Sequence, residues 1–144
     1  MTYADVVTQL DTMLSALSVT SPASSIKHVY TLPPKTVQVF PCWIVIPPDE
    51  IEVLRESSAM RTETPSIRCR YMNLDGGDWA TAAGIAQAYR EAAITKFDNV
   101  TLGGVGQLIS QTFGGITLGK YGGKDVVMFD MTLRIRHQTP TAIT

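Results

Sequence analysis

The stretch VVMFDMTLRIRHQ, Val126 to Gln138, decides the fold. Val127, Phe129, Met131, Leu133 and Ile135 occupy one phase of a two-residue repeat and are all apolar. Val126, Met128, Asp130, Thr132, Arg134 and Arg136 occupy the other phase, which ends in two arginines. A period of two places successive side chains on opposite faces of an extended chain. The spacing predicts a strand whose first set covers a core. The arginines lie outside that core, where they face water, meet another subunit or grip a nucleic acid.

Working outward, KYGGKD (120–125) reads as a turn, with the reversal at Gly122-Gly123. It joins the opening strand to Gln107–Gly119 in a long antiparallel hairpin. Gly114-Gly115 interrupts that second strand, which predicts a bulge or a close backbone approach. Thr64 to Leu74 alternates too, with Ile67, Cys69 and Tyr71 against Arg68, Arg70 and Met72. FPCWIVI, Phe40 to Ile46, is continuously apolar and predicts a strand buried on both faces. Pro47-Pro48 ends it. Ile26 to Thr31 is a short strand candidate. Glu50 to Arg61 is polar with scattered apolar residues and predicts an extended arm or strand.

Two segments carry helical spacing instead. Tyr3, Val6, Val7, Leu10, Met13, Leu14 and Leu17 recur at three and four residues. The second helix is expected over Trp79–Phe97, capped by Asp78 after a DGGD turn. Its apolar stripe is Trp79, Ala82, Ala83, Ala86, Tyr89, Ala93 and Phe97. The order is helix, strands, helix, hairpin. It predicts one α+β domain over 1–138, with two helices on one face of a largely antiparallel sheet. The other face must meet water or a partner. Residues 139–144, TPTAIT, read as a loose tail.

The 144 residues suit one domain. The net charge of −1 supplies no global field toward DNA or anionic lipid. Residues 1–60 hold six acids and three bases, and residues 61–144 hold seven acids and nine bases, a small asymmetry that suits head-to-tail association. Cys42 and Cys69 sit inside apolar strand-like runs, where small buried thiols are common. The N-terminal stretch has no basic start and places Asp5 and Asp11 inside its apolar pattern, unlike a signal peptide. No apolar run approaches the roughly 20 residues that span a bilayer. The expectation is a cytosolic protein.

Catalytic and metal chemistry find little support. His28 and His137 have no cysteine, aspartate or glutamate at metal-ligand spacing. No serine lies in a Gly-x-Ser-x-Gly turn. The glycines form neither a dinucleotide fingerprint nor a phosphate loop. DEIE, residues 49–52, invites a cation only as a solvated acidic loop does. The expectation is a protein without catalytic, cofactor or metal residues.

The arginines remain. Arg68 and Arg70 repeat the Arg-x-Arg spacing of Arg134 and Arg136, and each pair spans about 6.6 Å along its strand. If the two strands lie close, four cations share one face. Sheet surfaces that bind nucleic acid use aromatics for stacking. Here the outward neighbours are Met72, Thr132 and Asp130, and Asp130 repels phosphate. The plainest reading is that the arginines sit outside the core and pair with local acids; beyond it protein contact is favoured, and a nucleic-acid-binding module using Arg68, Arg70, Arg134 and Arg136 is the reading of a different class.

YADVVTQLDTMLSAL at the start, the proline-flanked WIVIPPDE, the extended middle and the closing YGGKDVVMFDMTLRIR together resemble the small tail terminator proteins of long-tailed bacteriophages. The resemblance spans 1–138 and rests on length and element order. It implies a structural virion protein of the neck. Such proteins form a hexameric ring on the last tail-tube ring, stop tube growth and present a surface to the head-side connector. The implied partners are other copies of the chain, the tail tube protein and the connector or stopper, with DNA only passing through and no membrane. The implied location is the virion, after assembly in the host cytoplasm. Other head–tail connector or head-completion proteins have similar sizes and partners. On this reading Glu50, Glu52 and Glu56 of one protomer are expected to meet the arginine face of the next.

Overall fold

The structure, a computed structural model, describes residues 3–20, 23–35, 37, 39–57, 60–98 and 106–140. Helix α1 (Tyr3–Ser15) is followed by a small hairpin of β1 (Ser18–Thr20) and β2 (Ala23–Ser25). Then come β3 (His28–Tyr30), β4 (Cys42–Ile46), β5 (Ile51–Arg55), β6 (Met60–Leu74), α2 (Trp79–Lys96), β7 (Gln107–Phe113), β8 (Thr117–Tyr121) and β9 (Lys124–Pro140).

The long antiparallel pair β6–β9 is the spine. Its register sets Cys69 opposite Met131 and Tyr71 opposite Phe129. A period of two then puts every odd-numbered residue of both strands on one face. Along β6, β4 pairs with residues 68–72 and β5 with 61–65, so the two lie nearly end to end. Along β9, β7 pairs with 131–136 and β8 with 124–128 in the same manner. Each flank of the spine is thus one strand line broken once, by Pro47–Glu50 on one side and by Gly114–Ile116 on the other. Pro65 has no N–H to donate, and the β6–β9 ladder skips residues 64 and 65. β3 adds to β4 in parallel, which makes the sheet mixed though mostly antiparallel.

The odd face carries the main core. Trp43, Val45, Ile67, Cys69, Tyr71, Val127, Phe129, Met131, Leu133 and Ile135 pack there with Val6, Leu10 and Leu14 of α1 and Ala86, Tyr89 and Ala93 of α2. Every apolar residue of the opening alternation is buried. Tyr71 stacks on Phe129 at 5.1 Å, and Trp43 meets Phe129 edge-on at 5.6 Å. Such pairs add about 0.5–1.5 kcal/mol each beyond their burial.

Asp78 caps α2 as the sequence predicts, accepting from the Thr81 N–H at 3.3 Å. The helical stripe differs at its first member, because Trp79 is 45% exposed. Its turn lies past the end of the sheet: Asn73, next to the last residue of β6, already donates to the carbonyl of Ala82 at 3.3 Å.

Three other expectations are corrected. The even face does not all wait for water or a partner. Val37, Cys42, Ile44, Met72 and Val126 form a second apolar cluster there, with Tyr30, Phe40 and Tyr121 packed against it. Val37 and Phe40, between β3 and β4, cover this end of the sheet, and Tyr121 donates its hydroxyl to the carbonyl of Pro34 at 3.1 Å. This is why β4 is buried on both faces. The Gln107–Gly119 strand does break at the glycines, into two strands, but its bulge lies at Leu108/Ser110. Finally, β9 runs on to Pro140, pairing Thr139 with Arg61 and Pro140 with Met60. The expected tail therefore begins no earlier than 141, and residues 141–144 lie outside the described ones.

Candidate subunit interface

The register brings the arginines to one face. Ser66, Arg68 and Arg70 stand opposite Arg134, Thr132 and Asp130. All are even-numbered, as is Arg136, so the four cations share the outer side of the spine.

They are not equally available. Arg70 closes on Asp130 with Nε–Oδ1 at 2.8 Å and Nη2–Oδ2 at 3.2 Å. That hydrogen bond raises the Arg70 pKa further, fixing it in the charged form. Arg134 Nη2 lies 3.1 Å from Glu52 Oε2. Glu56 accepts from Gln138 Nε2 at 3.3 Å. The acids expected to come from a neighbouring protomer are thus already beside this face in the same chain. β5 delivers Glu52 because it pairs with Thr64, the even phase of β6.

Arg68 and Arg136 are exposed. Arg68 sits with Ser66 and Thr132 in an open cleft of about 320 Å3, where Pro47, Asp49 and Glu50 form the other wall. The cleft exists because the prolines lift the chain off β6 between β4 and β5. The opposite break forms a second cleft of about 260 Å3, lined by Arg70, Gly114, Gly115, Thr117 and Asp130.

Beyond the helices, β5, the first half of β6 and the end of β9 form a three-stranded arm. Every residue of β5 is exposed, with Ile51 at 45%, Val53 at 54% and Leu54 at 61%. Among the described residues β5 pairs only with β6, so its second edge is free. The extended arm or strand expected over Glu50–Arg61 is present as β5; its apolar phase is the feature that the polarity of the segment hides. The signal was in Ile51-Glu52-Val53, whose alternation puts both apolar side chains in one phase. These two point to the helix side, because Ile51 faces Pro65 and Val53 faces Glu63.

The two histidines part company. His28 is exposed and edge-on to Tyr30 at 4.5 Å. His137 is buried at the root of the arm, with Nε2 at 3.7 Å from Glu63 Oε2. Burial lowers its pKa, against a smaller upward pull from Glu63. Both cysteines are buried on opposite faces, and burial pushes each thiol up to about 12. Neither is a nucleophile at neutral pH. Among the described residues no cluster of three His, Cys, Asp or Glu side chains can hold a metal ion. No described helix is long and apolar enough to cross a membrane.

No protein-family model matches the chain, and no curated protein matches it. What the geometry offers chemically is a set of open surfaces: a free strand edge, exposed apolar side chains on an arm, and a half-neutralised arginine face.

Proposed function

We propose that this chain is a structural protein of a phage neck, a tail terminator whose copies form a ring that caps the tail tube and joins it to the head connector. The single observation that carries the self-assembly in this reading is the β5 arm, which exposes three large apolar residues and a free edge. Edges of this kind are templates for pairing with another chain unless they are guarded. Ring closure, the tail tube and the head connector enter from the resemblance of residues 1–138 to tail terminators.

The nucleic-acid reading loses support from the ion pairs. Asp130 and Glu52 occupy two of the four guanidinium groups on the arginine face. The aromatic side chains of the spine, Tyr71 and Phe129, are buried in the core and cannot stack on bases. No enzymatic role is proposed.

Electron microscopy of the purified protein tests the reading. Closed rings of uniform diameter are the expected result. Monodisperse single copies, or open filaments without closure, contradict it.

A further inference from the structure

Among the described residues β3, β5, β7 and β8 each pair with one strand only, and of these β5 and β7 lie on opposite sides of the spine. Across the spine these two strands are joined through the pairings β5–β6, β6–β9 and β9–β7. β5 is antiparallel to β6, β6 to β9, and β9 to β7. It follows that β5 and β7 run in opposite directions. A second copy, rotated about an axis roughly along the strands, therefore presents its β7 antiparallel to β5 of the first. No strand has to reverse and no face has to flip.

We infer that β5 of one copy adds to the free edge of β7 in the next, continuing one sheet from copy to copy. This deepens the proposed self-assembly and rests on it. The side chains on the two edges match in kind. On the helix side β5 brings exposed Ile51 and Val53. The β7 edge brings exposed Ile109, the extra residue of the bulge, and exposed Ile94 of α2. One turn of that helix reaches β7, where Gln111 donates to the carbonyl of Ile94 at 3.3 Å. The charges match as well. Residues 49–56 carry Asp49, Glu50, Glu52 and Glu56 against Arg55 alone. Beside β7 stand exposed Arg136, paired in register with Gln107, and exposed Lys96 at the end of α2.

The stagger is also defined. β5 lies at the level of β9 residues near 137 and β7 at the level of those near 133, an offset of about 12 Å along the strands. A sheet that steps by a fixed amount at each repeat closes only with tilted strands. A head-to-tail contact of this kind makes a ring when the rotation closes and a filament when it does not.

Two variants test the pairing, Val53→Lys and Ile109→Lys. Both replace exposed residues, and Val53 faces Glu63 across the strands, so lysine there gains a local partner. Each variant alone is expected to be monomeric by mass photometry, while the wild type assembles. An equal mixture is expected to form dimers and nothing larger, because each pair retains one intact β5 edge and one intact β7 edge. Those dimers also show that both variants are folded. Assembly of Ile109→Lys alone, with loss only in Val53→Lys, indicates a β5–β5 contact and overturns the inference. Rings formed by both variants overturn it while leaving the proposed function standing. A wild type that stays monomeric overturns both.

Discussion

Arg70 and Asp130 face each other across the central strand pair, and the guanidinium meets the carboxylate through two bonds, at 2.8 and 3.2 Å. The pair is about one-third exposed on both sides. Water screens part of the attraction, so its coupling is expected to be modest despite good geometry. A double-mutant cycle with Arg70→Met and Asp130→Asn should give about 0.5–1 kcal/mol by urea denaturation. A coupling near zero would make the pair incidental to the spine.

Phe129 is the hub of the aromatic core, within 5.1 Å of Tyr71 and 5.6 Å of Trp43 by ring centroids. Phe129→Ala leaves a cavity on the helix-covered face of the sheet, bordered by Tyr71 and Trp43, which cannot close without moving the spine. The expected loss is about 3–5 kcal/mol. Arg136→Ala, one even position on the exposed face, should change stability little in the same assay.

The β8–β9 turn depends on backbone and not on space. Gly122 and Gly123 have φ of 60° and 80°, and an added Cβ meets nothing within 4 Å at either position. Both residues thus take the left-handed conformation of a two-residue hairpin turn. Gly122→Asn should be tolerated. Gly123→Val should cost about 1–2 kcal/mol, the penalty of the left-handed region for a branched side chain.

His137 links stability to pH. Its folded-state pKa lies below the ordinary 6.5, chiefly through burial. The unfolded chain therefore binds more protons at mildly acid pH, and stability falls as the pH drops below about 6.5. Once the pH passes below the folded pKa, this contribution flattens. His137→Gln should reduce the slope of melting temperature against pH over that window. An unchanged slope would assign the pH dependence to other groups.

The alternation in 126–138 and 64–74 made the spine and its buried face legible, because a two-residue period has only one way to face a core. Asp78 marked the start of α2 for an equally local reason. Long-range placement was not legible. Nothing in the sequence around Val37 and Phe40 says that this segment covers the even face, since that depends on where β3 and β4 join the sheet. Trp79 fits the helical stripe but overhangs the sheet, because β6 stops at Leu74. The arginine face was placed correctly by parity. Pairing with acids of the same chain was one reading of the arginine face, but the particular partner of Arg134, Glu52, needs the β5–β6 register that brings residues 82 apart together.

The proposed ring depends on the chain assembling with itself through its own surfaces. Sedimentation of the purified protein at low and high salt, without nucleic acid, tests it most directly. The expected result is one closed species whose mass is a fixed multiple of the 15.7 kDa chain, persisting in high salt because Ile51, Val53 and Leu54 are apolar. A single-chain species at every concentration, or a complex that forms only with DNA and dissolves in salt, would contradict it.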